Sequence, residues 1–242
     1  MAHRVLCFFA GVLAFAGCSS TVTRKADFAA LREGKDPAAC PAEVKDVDEN
    51  VYPTVQIGAQ CWQAENLRVL RYRDGSAIEN TSVIDVARYG VLYRFPHAVD
   101  VRGLCPIGWH VPSDDEVQTL ERAIGLDESA LTERGWRGDQ HARALKEDVT
   151  ATSWAPDEEK SVNTSGFSLR AAGEHIGFFR GADGLYAGLW TTTTDGDLAF
   201  VRYFMWMALN PRNDRIWRDS VDKERAYSVR CLMDAPSSDA TP

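Results

Sequence analysis

Cysteine side chains offer the most specific chemistry in this 242-residue sequence. Six are present: Cys7, Cys18, Cys40, Cys61, Cys105 and Cys231. None belongs to a Cys-x-x-Cys pair, so the sequence lacks the usual spacing of a structural zinc site. In an oxidising compartment the last four allow three disulfide pairings, and the spacing alone does not choose among them.

Seven tryptophans form a second group, because an exposed indole can stack on the flat apolar face of a sugar ring. Trp136 and Trp154 lie in polar segments interrupted by glycine or proline, and Trp217 lies in a charged segment near the end. We predict that these three side chains bind a ligand. The other four occur in strand-like or motif contexts and are predicted to be part of the core: Trp62, Trp109, Trp190 and Trp206.

The spacings typical of catalytic sites are missing from the sequence. The histidines show no ligand spacing, Thr164-Ser165-Gly166 does not match a Gly-x-Ser-x-Gly elbow, and there is no glycine-rich phosphate loop. His110 is predicted to form hydrogen bonds at a helix entry rather than to bind a metal. Carboxylates are numerous, but no spacing selects two of them as acid and base. We therefore expect no enzymatic activity and no cofactor.

The N-terminal segment resembles a bacterial lipoprotein signal. Residues 1–17 contain a basic residue, an apolar run of about a dozen residues and Ala16-Gly17 directly before Cys18. That run is too short to cross a membrane, which takes roughly 20 apolar residues. The pattern predicts cleavage before Cys18, lipidation of its thiol and acylation (palmitate) of its amine. Ser19 favours the outer membrane, with the protein periplasmic or surface-exposed. The alternative is an ordinary signal cut near Ala16, which would leave Cys18 free.

The rest of the chain divides into a tether over residues 18–39, one block over 40–234, and a disordered tail over 235–242. The composition, 45% apolar and 26% charged, is typical of a globular domain. The formal net charge of −8 argues against nucleic acid as a partner, because such binding needs a basic face. The sequence therefore predicts one tethered globular domain of unspecified oligomeric state.

Short strand patterns dominate the block 40–234. A hairpin is predicted over 51–67. The clearest helix is predicted over 113–124, where Ser113 and Glu116 can form a capping box. A weaker helix is predicted over 139–147. Further predicted strands include 88–95, 167–171, 176–179, 185–193, 198–209, 215–218 and 227–233. One or two helices among many short, antiparallel strands predict a loop-rich α+β fold.

Four blocks of this region resemble a known family, the Fibrobacter succinogenes major paralogous domain. They are Val51–Gly58 with Gln60–Leu67, Cys105-Pro106-Ile107-Gly108-Trp109-His110-Val111-Pro112-Ser113, Asn163-Thr164-Ser165-Gly166-Phe167-Ser168, and Tyr227-Ser228-Val229-Arg230-Cys231. Two stretches depart from the family pattern, Arg170–Gly173 and Trp190–Thr193. The family is similar to C-type-lectin-like and formylglycine-generating-enzyme-like domains, so the resemblance implies a C-type-lectin-like fold with its ends together. It implies no activity.

The resemblance also implies which cysteines pair. We expect Cys40–Cys61 to join the domain entrance to the hairpin, and Cys105–Cys231 to join the segment before the helix to the last strand. The rival is a reactive or copper-binding thiol pair, as in formylglycine-generating enzymes. That site needs two neighbouring thiols in a late loop, where this sequence has only Cys231.

Five aspartates and one asparagine in the second half raise the question of a lectin-type calcium site, which needs about six to eight oxygen ligands. These residues are Asp183, Asp195, Asp197, Asn213, Asp214 and Asp219. The lectin tripeptides Glu-Pro-Asn and Trp-Asn-Asp are absent, and Trp217-Arg218-Asp219 places a cation where an oxygen is needed. We expect no metal.

Three functions are therefore carried forward. The favoured one is a non-enzymatic binding or adhesion lipoprotein of the cell envelope, with a glycan or a protein as ligand. The first alternative is a structural, disulfide-locked surface lipoprotein without a ligand, and the second is an envelope enzyme acting on polysaccharide. One exposed face shared by Trp136, Trp154 and Trp217 beside a concavity would favour the first function, whereas buried or scattered rings would favour the structural one.

Overall fold

The computed structural model describes residues 40–83, 85–148, 153–155, 162–177, 179–207 and 210–235. The predicted signal, Cys18, the tether and almost all of the predicted tail lie outside these residues. Within them, no helix has both the length and the apolar composition needed to cross a membrane.

The described part of the chain is an α+β fold dominated by antiparallel strands. In chain order the elements are β1 (Glu43–Lys45), β2 (Val51–Ile57), β3 (Gln60–Gln63), α1 (Val86–Tyr89), β4 (Tyr93–Arg94), α2 (Phe95–Ala98), β5 (Trp109–His110), α3 (Asp114–Ala123), β6 (Gly135–Arg137), α4 (His141–Leu145), β7 (Glu174–Ile176), β8 (Phe179–Gly181), β9 (Tyr186–Asp195), β10 (Leu198–Met205), β11 (Ile216–Asp222), β12 (Ala226–Tyr227) and β13 (Leu232–Met233).

The strands form three small sheets. The first has the order β1-β2-β3-β13-β5, so the last strand lies between two strands from the first half of the domain. The second, with the order β6-β11-β10-β9, is built from the longest strands. The third has the order β4-β12-β7-β8. The antiparallel β2–β3 pair confirms the predicted hairpin, although β3 ends at Gln63 rather than near Leu67.

The clearest predicted helix is confirmed as α3. The Ser113 hydroxyl accepts a hydrogen bond from the Glu116 amide, and the Glu116 carboxylate accepts one from the Ser113 amide at 2.7 Å. This capping box satisfies amides that have no partner inside the helix, which is why the helix begins here. The weaker predicted helix is present in a shorter form as α4.

The blocks that resemble the known family meet around Arg230, which is fully buried. Its guanidinium donates hydrogen bonds to the Asn66 side chain at 2.9 Å and to the carbonyls of Gln63, Phe167 and Ser168. The disulfides Cys40–Cys61 and Cys105–Cys231 are present, which are the two pairs that the resemblance implied. The shared blocks therefore build the interior frame that joins the start of the domain to its end.

Two predicted strands are wrong. The segment 88–95 contains only the two-residue strand β4, between α1 and α2, because Asp85 caps α1 and Pro96 lies in the first turn of α2. The segment 167–171 makes a single bridge, Lys146–Leu169, because Arg230 takes the carbonyls of Phe167 and Ser168.

Two further predicted strands are interrupted. In the segment 176–179, Ile176 ends β7 and Phe179 begins β8, and Gly177 follows Ile176 at a φ of +58°. The segment 227–233 is divided between β12 and β13, which belong to different sheets. Short apolar runs do not show which sheet a residue joins, because that is decided by distant partners.

Candidate functional site

The second sheet has two faces of opposite chemistry. Adjacent positions on β6, β11 and β10 place Trp136, Trp217 and Tyr203 in one cross-strand row. Their neighbours along the chain, Arg137, Arg218 and Arg202, therefore point to the opposite face, because successive strand residues alternate between faces. One face is aromatic and partly open, while the other is charged and buried.

The aromatic face borders a cavity of about 280 Å³ between the second and third sheets. Its lining is Trp136, Glu174, Tyr203, Trp217, Val221, Arg225 and Tyr227. The rings of Tyr203 and Trp217 meet edge to face with centroids 6.2 Å apart, and Tyr186 stacks on Tyr203 at 5.2 Å. These contacts hold the rings in place, which lowers the entropic cost of ordering them around a ligand.

Tyr227 forms the buried base of this cavity. Its ring lies 6.2 Å from that of Tyr203 and 5.0 Å from that of Trp190, measured between centroids. Gly188 on β9 is paired with Tyr203 on β10. Because Gly188 has no Cβ atom, it leaves the space that the Tyr227 ring fills; a Cβ atom here would overlap that ring. The glycine therefore sets the depth of the pocket.

The polar end of the pocket contains one carboxylate, Glu174, and one guanidinium, Arg225. The Arg225 guanidinium lies 3.3 Å from the Tyr227 hydroxyl, which in turn lies 3.4 Å from the Glu174 carboxylate. Burial and the nearby Glu174 charge raise the pKa of Tyr203, and burial raises the pKa of Tyr227 to about 12. Both phenols are therefore neutral at physiological pH and keep their hydroxyl protons.

The opposite face of the sheet contains a buried ion cluster. Arg202 donates to Glu121 at 2.7 Å and to Asp114 at 2.6 Å, Arg218 donates to Asp114 at 2.6 Å, and Arg137 donates to Glu121 at 2.6 Å. Both carboxylates come from α3. The cluster has three guanidiniums and two carboxylates. The carbonyl dipoles of residues 130–132 stabilise the excess positive charge by accepting hydrogen bonds from Arg137 and Arg218. These contacts attach α3 to the sheet and leave the cluster closed to solvent.

The predicted ligand-binding tryptophans separate into two groups. The structure brings Trp136 and Trp217 together, on paired strands and half-buried beside the cavity. Trp136 was expected in a loop but belongs to β6, where pairing with β11 fixes it.

The prediction is wrong for Trp154, which is not exposed. Only 7% of this residue is accessible, its indole N–H donates to the Leu169 carbonyl at 2.8 Å, and the Lys146 ammonium lies 4.5 Å from its ring centroid. The polar sequence around Trp154 does not reveal this burial, because the partners come from distant segments.

The other tryptophans are in or against the core. Trp62, Trp109 and Trp190 are buried, and Trp206 is half-buried against the core cluster that contains Phe204.

The acidic residues considered for calcium are engaged by arginine where contacts are present. Asp195 and Asp219 both accept from Arg134 at 2.8 Å, and Asp214 accepts from Arg143 at 2.6 Å. His110 bridges Glu116 and Asp234 at the entry to α3, the structural position expected for it. Among the described residues there is no cluster of three or more potential metal ligands.

A larger cavity of about 610 Å³ lies beside β2 and is lined by Glu65, Glu147 and Arg170 among others. Arg170 pairs with Glu65 at 2.8 Å and with Glu147 at 3.4 Å, and Glu65 also pairs with Arg68 at 2.8 Å, so two arginines offset these two carboxylates. None of the residues described around this cavity is aromatic. It therefore lacks the flat apolar surface that distinguishes the smaller pocket.

Sequence analysis missed Glu174, Tyr203, Arg225 and Tyr227 as pocket residues. The sequence did contain a signal for Tyr203. Arg202 and Tyr203 are successive residues of the predicted strand 198–209, so their side chains are expected on opposite faces. Glu174 and Arg225 gave no signal, since they come from a different sheet and are placed by the β7–β12 pairing.

Comparison with known proteins gives one match, to a family model described as the Fibrobacter succinogenes major domain, over residues 55–233. No curated protein and no solved structure matches the chain. The matched region contains every residue that lines the smaller pocket.

Proposed function

The chain belongs to the Fibrobacter succinogenes major domain family, and from that premise we propose that it is a non-enzymatic binding or adhesion lipoprotein of the bacterial envelope. Its ligand, a glycan or a surface protein, occupies the pocket between the second and third sheets. Binding requires no metal ion.

The observation that carries this proposal is the row of Trp136, Trp217 and Tyr203 beside a cavity with a polar end. Pockets for small ligands are concave and mostly apolar, with a few polar groups that fix orientation. Here the apolar surface consists of aromatic rings, and the polar groups are Glu174 and Arg225. Half-buried tryptophans also contribute strongly at interfaces, because they desolvate a large area with little loss of side-chain freedom.

A C-type-lectin-like arrangement is part of this proposal. Its support is the position of β13 between β3 and β5, which brings the two ends of the domain into one sheet. The Cys105–Cys231 disulfide lies at the same junction. A closed frame of this kind leaves the later strands free to carry a binding surface.

The envelope anchor rests on the sequence around Cys18. Two or more acyl chains would hold the protein stably at the membrane, whereas a single chain binds only marginally. The Cys18→Ser variant should move from the membrane fraction to the soluble fraction. Unchanged partitioning into detergent would contradict the lipoprotein assignment.

The structural alternative has support of its own, because Trp154 is buried and does not share the face of Trp136 and Trp217. The buried Arg230 frame and two disulfides would make a durable spacer without any ligand. The enzymatic alternative is less favoured. The pocket between the second and third sheets holds one carboxylate, Glu174. Several carboxylates line the larger cavity, but two of them, Glu65 and Glu147, are held in ion pairs by Arg170.

Attachment of the intact protein to envelope polysaccharide and to whole cells tests the proposal. The wild type should attach, Trp136→Ala should reduce attachment at least tenfold, and EDTA should leave it unchanged. Abolition by EDTA, or a large rise in melting temperature with calcium, would show a metal-dependent site. Equal attachment of wild type and variant would favour the structural alternative.

A further inference from the structure

The pocket's polar end carries a balanced pair of charges, which restricts the ligand. The Tyr227 hydroxyl accepts a hydrogen bond from Arg225 at 3.3 Å and donates one to Glu174 at 3.4 Å, so both charged groups lie beside the same oxygen. An anionic group placed here would meet Arg225 but also the Glu174 carboxylate. A cationic group would meet Glu174 and the aromatic rings but also the Arg225 guanidinium. Opposed charges at one end therefore favour neither sign.

Hydroxyl groups suit this pair because each can donate and accept at once. A carboxylate only accepts, and a guanidinium only donates, through five N–H groups. Among the described residues, the Arg225 guanidinium donates to the Tyr227 hydroxyl and to no other side chain, so most of its N–H groups can face a ligand. Two neighbouring hydroxyls of one ligand can bond to Glu174 and Arg225 as the Tyr227 hydroxyl already does.

The size and the walls of the pocket add a further restriction. A volume of about 280 Å³ is just below the range for small-molecule pockets, roughly 300–1,000 Å³. Tyr227 closes the base, so an extended chain cannot pass through. One ring can enter, with its C–H face against Trp136 or Trp217.

We propose that the pocket binds a single uncharged sugar ring at the end of a glycan, with the sugar's face on the tryptophans and adjacent hydroxyls on Glu174 and Arg225. This inference rests on the proposed function and specifies its ligand class. The two opposed charges make uronic acids and quaternary ammonium compounds weaker ligands than the uncharged sugar.

Tryptophan fluorescence titration of the intact protein can test this assignment with matched probes. The probes are the methyl glycosides of glucose, galactose and mannose, the corresponding methyl uronides, and choline. For at least one pair the uncharged sugar should bind at least tenfold more tightly than its uronide, a difference of about 1.4 kcal/mol. Choline should bind more weakly than that sugar.

Two charge-neutralising variants sharpen the test. Glu174→Gln should improve uronide binding about tenfold, because the repelling carboxylate is gone while Arg225 remains. Arg225→Gln should improve choline binding instead. A uronide or choline preferred by the wild type would overturn the ligand class and leave the binding function intact. No response to any probe would also overturn the ligand class, and the attachment assay would then decide the binding function separately.

Discussion

The two faces of the second sheet use the same strands for different purposes. On one face Arg137, Arg202 and Arg218 bind the carboxylates of α3 and are almost completely buried. On the other face the adjacent residues Trp136, Tyr203 and Trp217 have partners on their own sheet but remain half open to solvent. The difference shows that alternation along a strand can separate a face that holds the fold from a face that is available to a ligand.

Mutations on the charged face should strongly lower the free energy of unfolding, because its guanidiniums and carboxylates neutralise one another. Removing one partner of a buried ion pair leaves the other charge without water or a counter-ion. The aromatic face can change with less effect on the fold, since part of each side chain is already in water. We therefore expect mutations on the first face to act on stability, and those on the second to act on binding.

The largest effect is expected at Glu121, which accepts hydrogen bonds from both Arg137 and Arg202. Glu121→Ala should lower the free energy of unfolding by about 3–5 kcal/mol, because two buried guanidiniums lose their carboxylate. Urea denaturation measures this loss. The control is Glu128→Ala, which removes an exposed pair with Arg122 and should barely change the midpoint. Similar losses in the two variants would contradict a special role for the buried cluster.

Low pH should weaken the contact between α3 and the charged face of the second sheet, because it protonates Asp114. Burial alone would raise the pKa of this carboxyl, but hydrogen bonds and charge from Arg218 and Arg202 outweigh it and hold the pKa at about 2. A pKa below that of the unfolded chain, about 3.9, stabilises the fold above pH 4, and the contribution is lost as pH falls toward 2. Protonation of Asp114 should therefore lower the free energy of unfolding by about 2 kcal/mol between pH 5 and pH 2.

Denaturation curves between pH 5 and pH 2 measure this contribution against the Asp114→Asn variant. The variant should be less stable at pH 5 and should show a correspondingly smaller further loss at low pH. An equal slope in the two proteins would assign the acid sensitivity to other carboxyls.

Gly188→Ala should damage the base of the pocket. Its new methyl group would overlap the Tyr227 ring, so the ring or β9 must shift. Overpacking of this kind costs about 1–3 kcal/mol, and the displaced Tyr227 hydroxyl would also misplace Glu174 and Arg225. Calorimetry and ligand titration together should show both losses. Gly196→Ala is the control for binding. Gly196 lies at a turn with open space around it but at a φ of +59°, so the variant should lose about 1–2 kcal/mol through backbone strain and leave binding unchanged.

Much of the frame could be predicted from the sequence, because it depends on local signals and on paired motifs. The Ser113–Glu116 cap and the first hairpin are examples of such signals, whereas the two disulfides were implied by the family resemblance and not by their spacing. The pocket was only partly predictable. The structure places Trp136 and Trp217 side by side, but it buries Trp154 elsewhere, and the sequence could not show this because the partners of Trp154 are far away in sequence. Glu174 and Arg225 could not be found, since only the pairing of β7 with β12 places them.

Ligand binding by Trp217→Ala and Trp206→Ala tests the account most directly. Both variants remove a half-buried tryptophan and should lose similar stability, about 1–2 kcal/mol, but only Trp217 lines the pocket. On a glycan array the intact wild-type protein and Trp206→Ala should bind the same glycans, while Trp217→Ala should lose at least nine-tenths of the signal. Equal binding by both variants, or equal loss in both, would contradict the assignment of the aromatic face as the binding site.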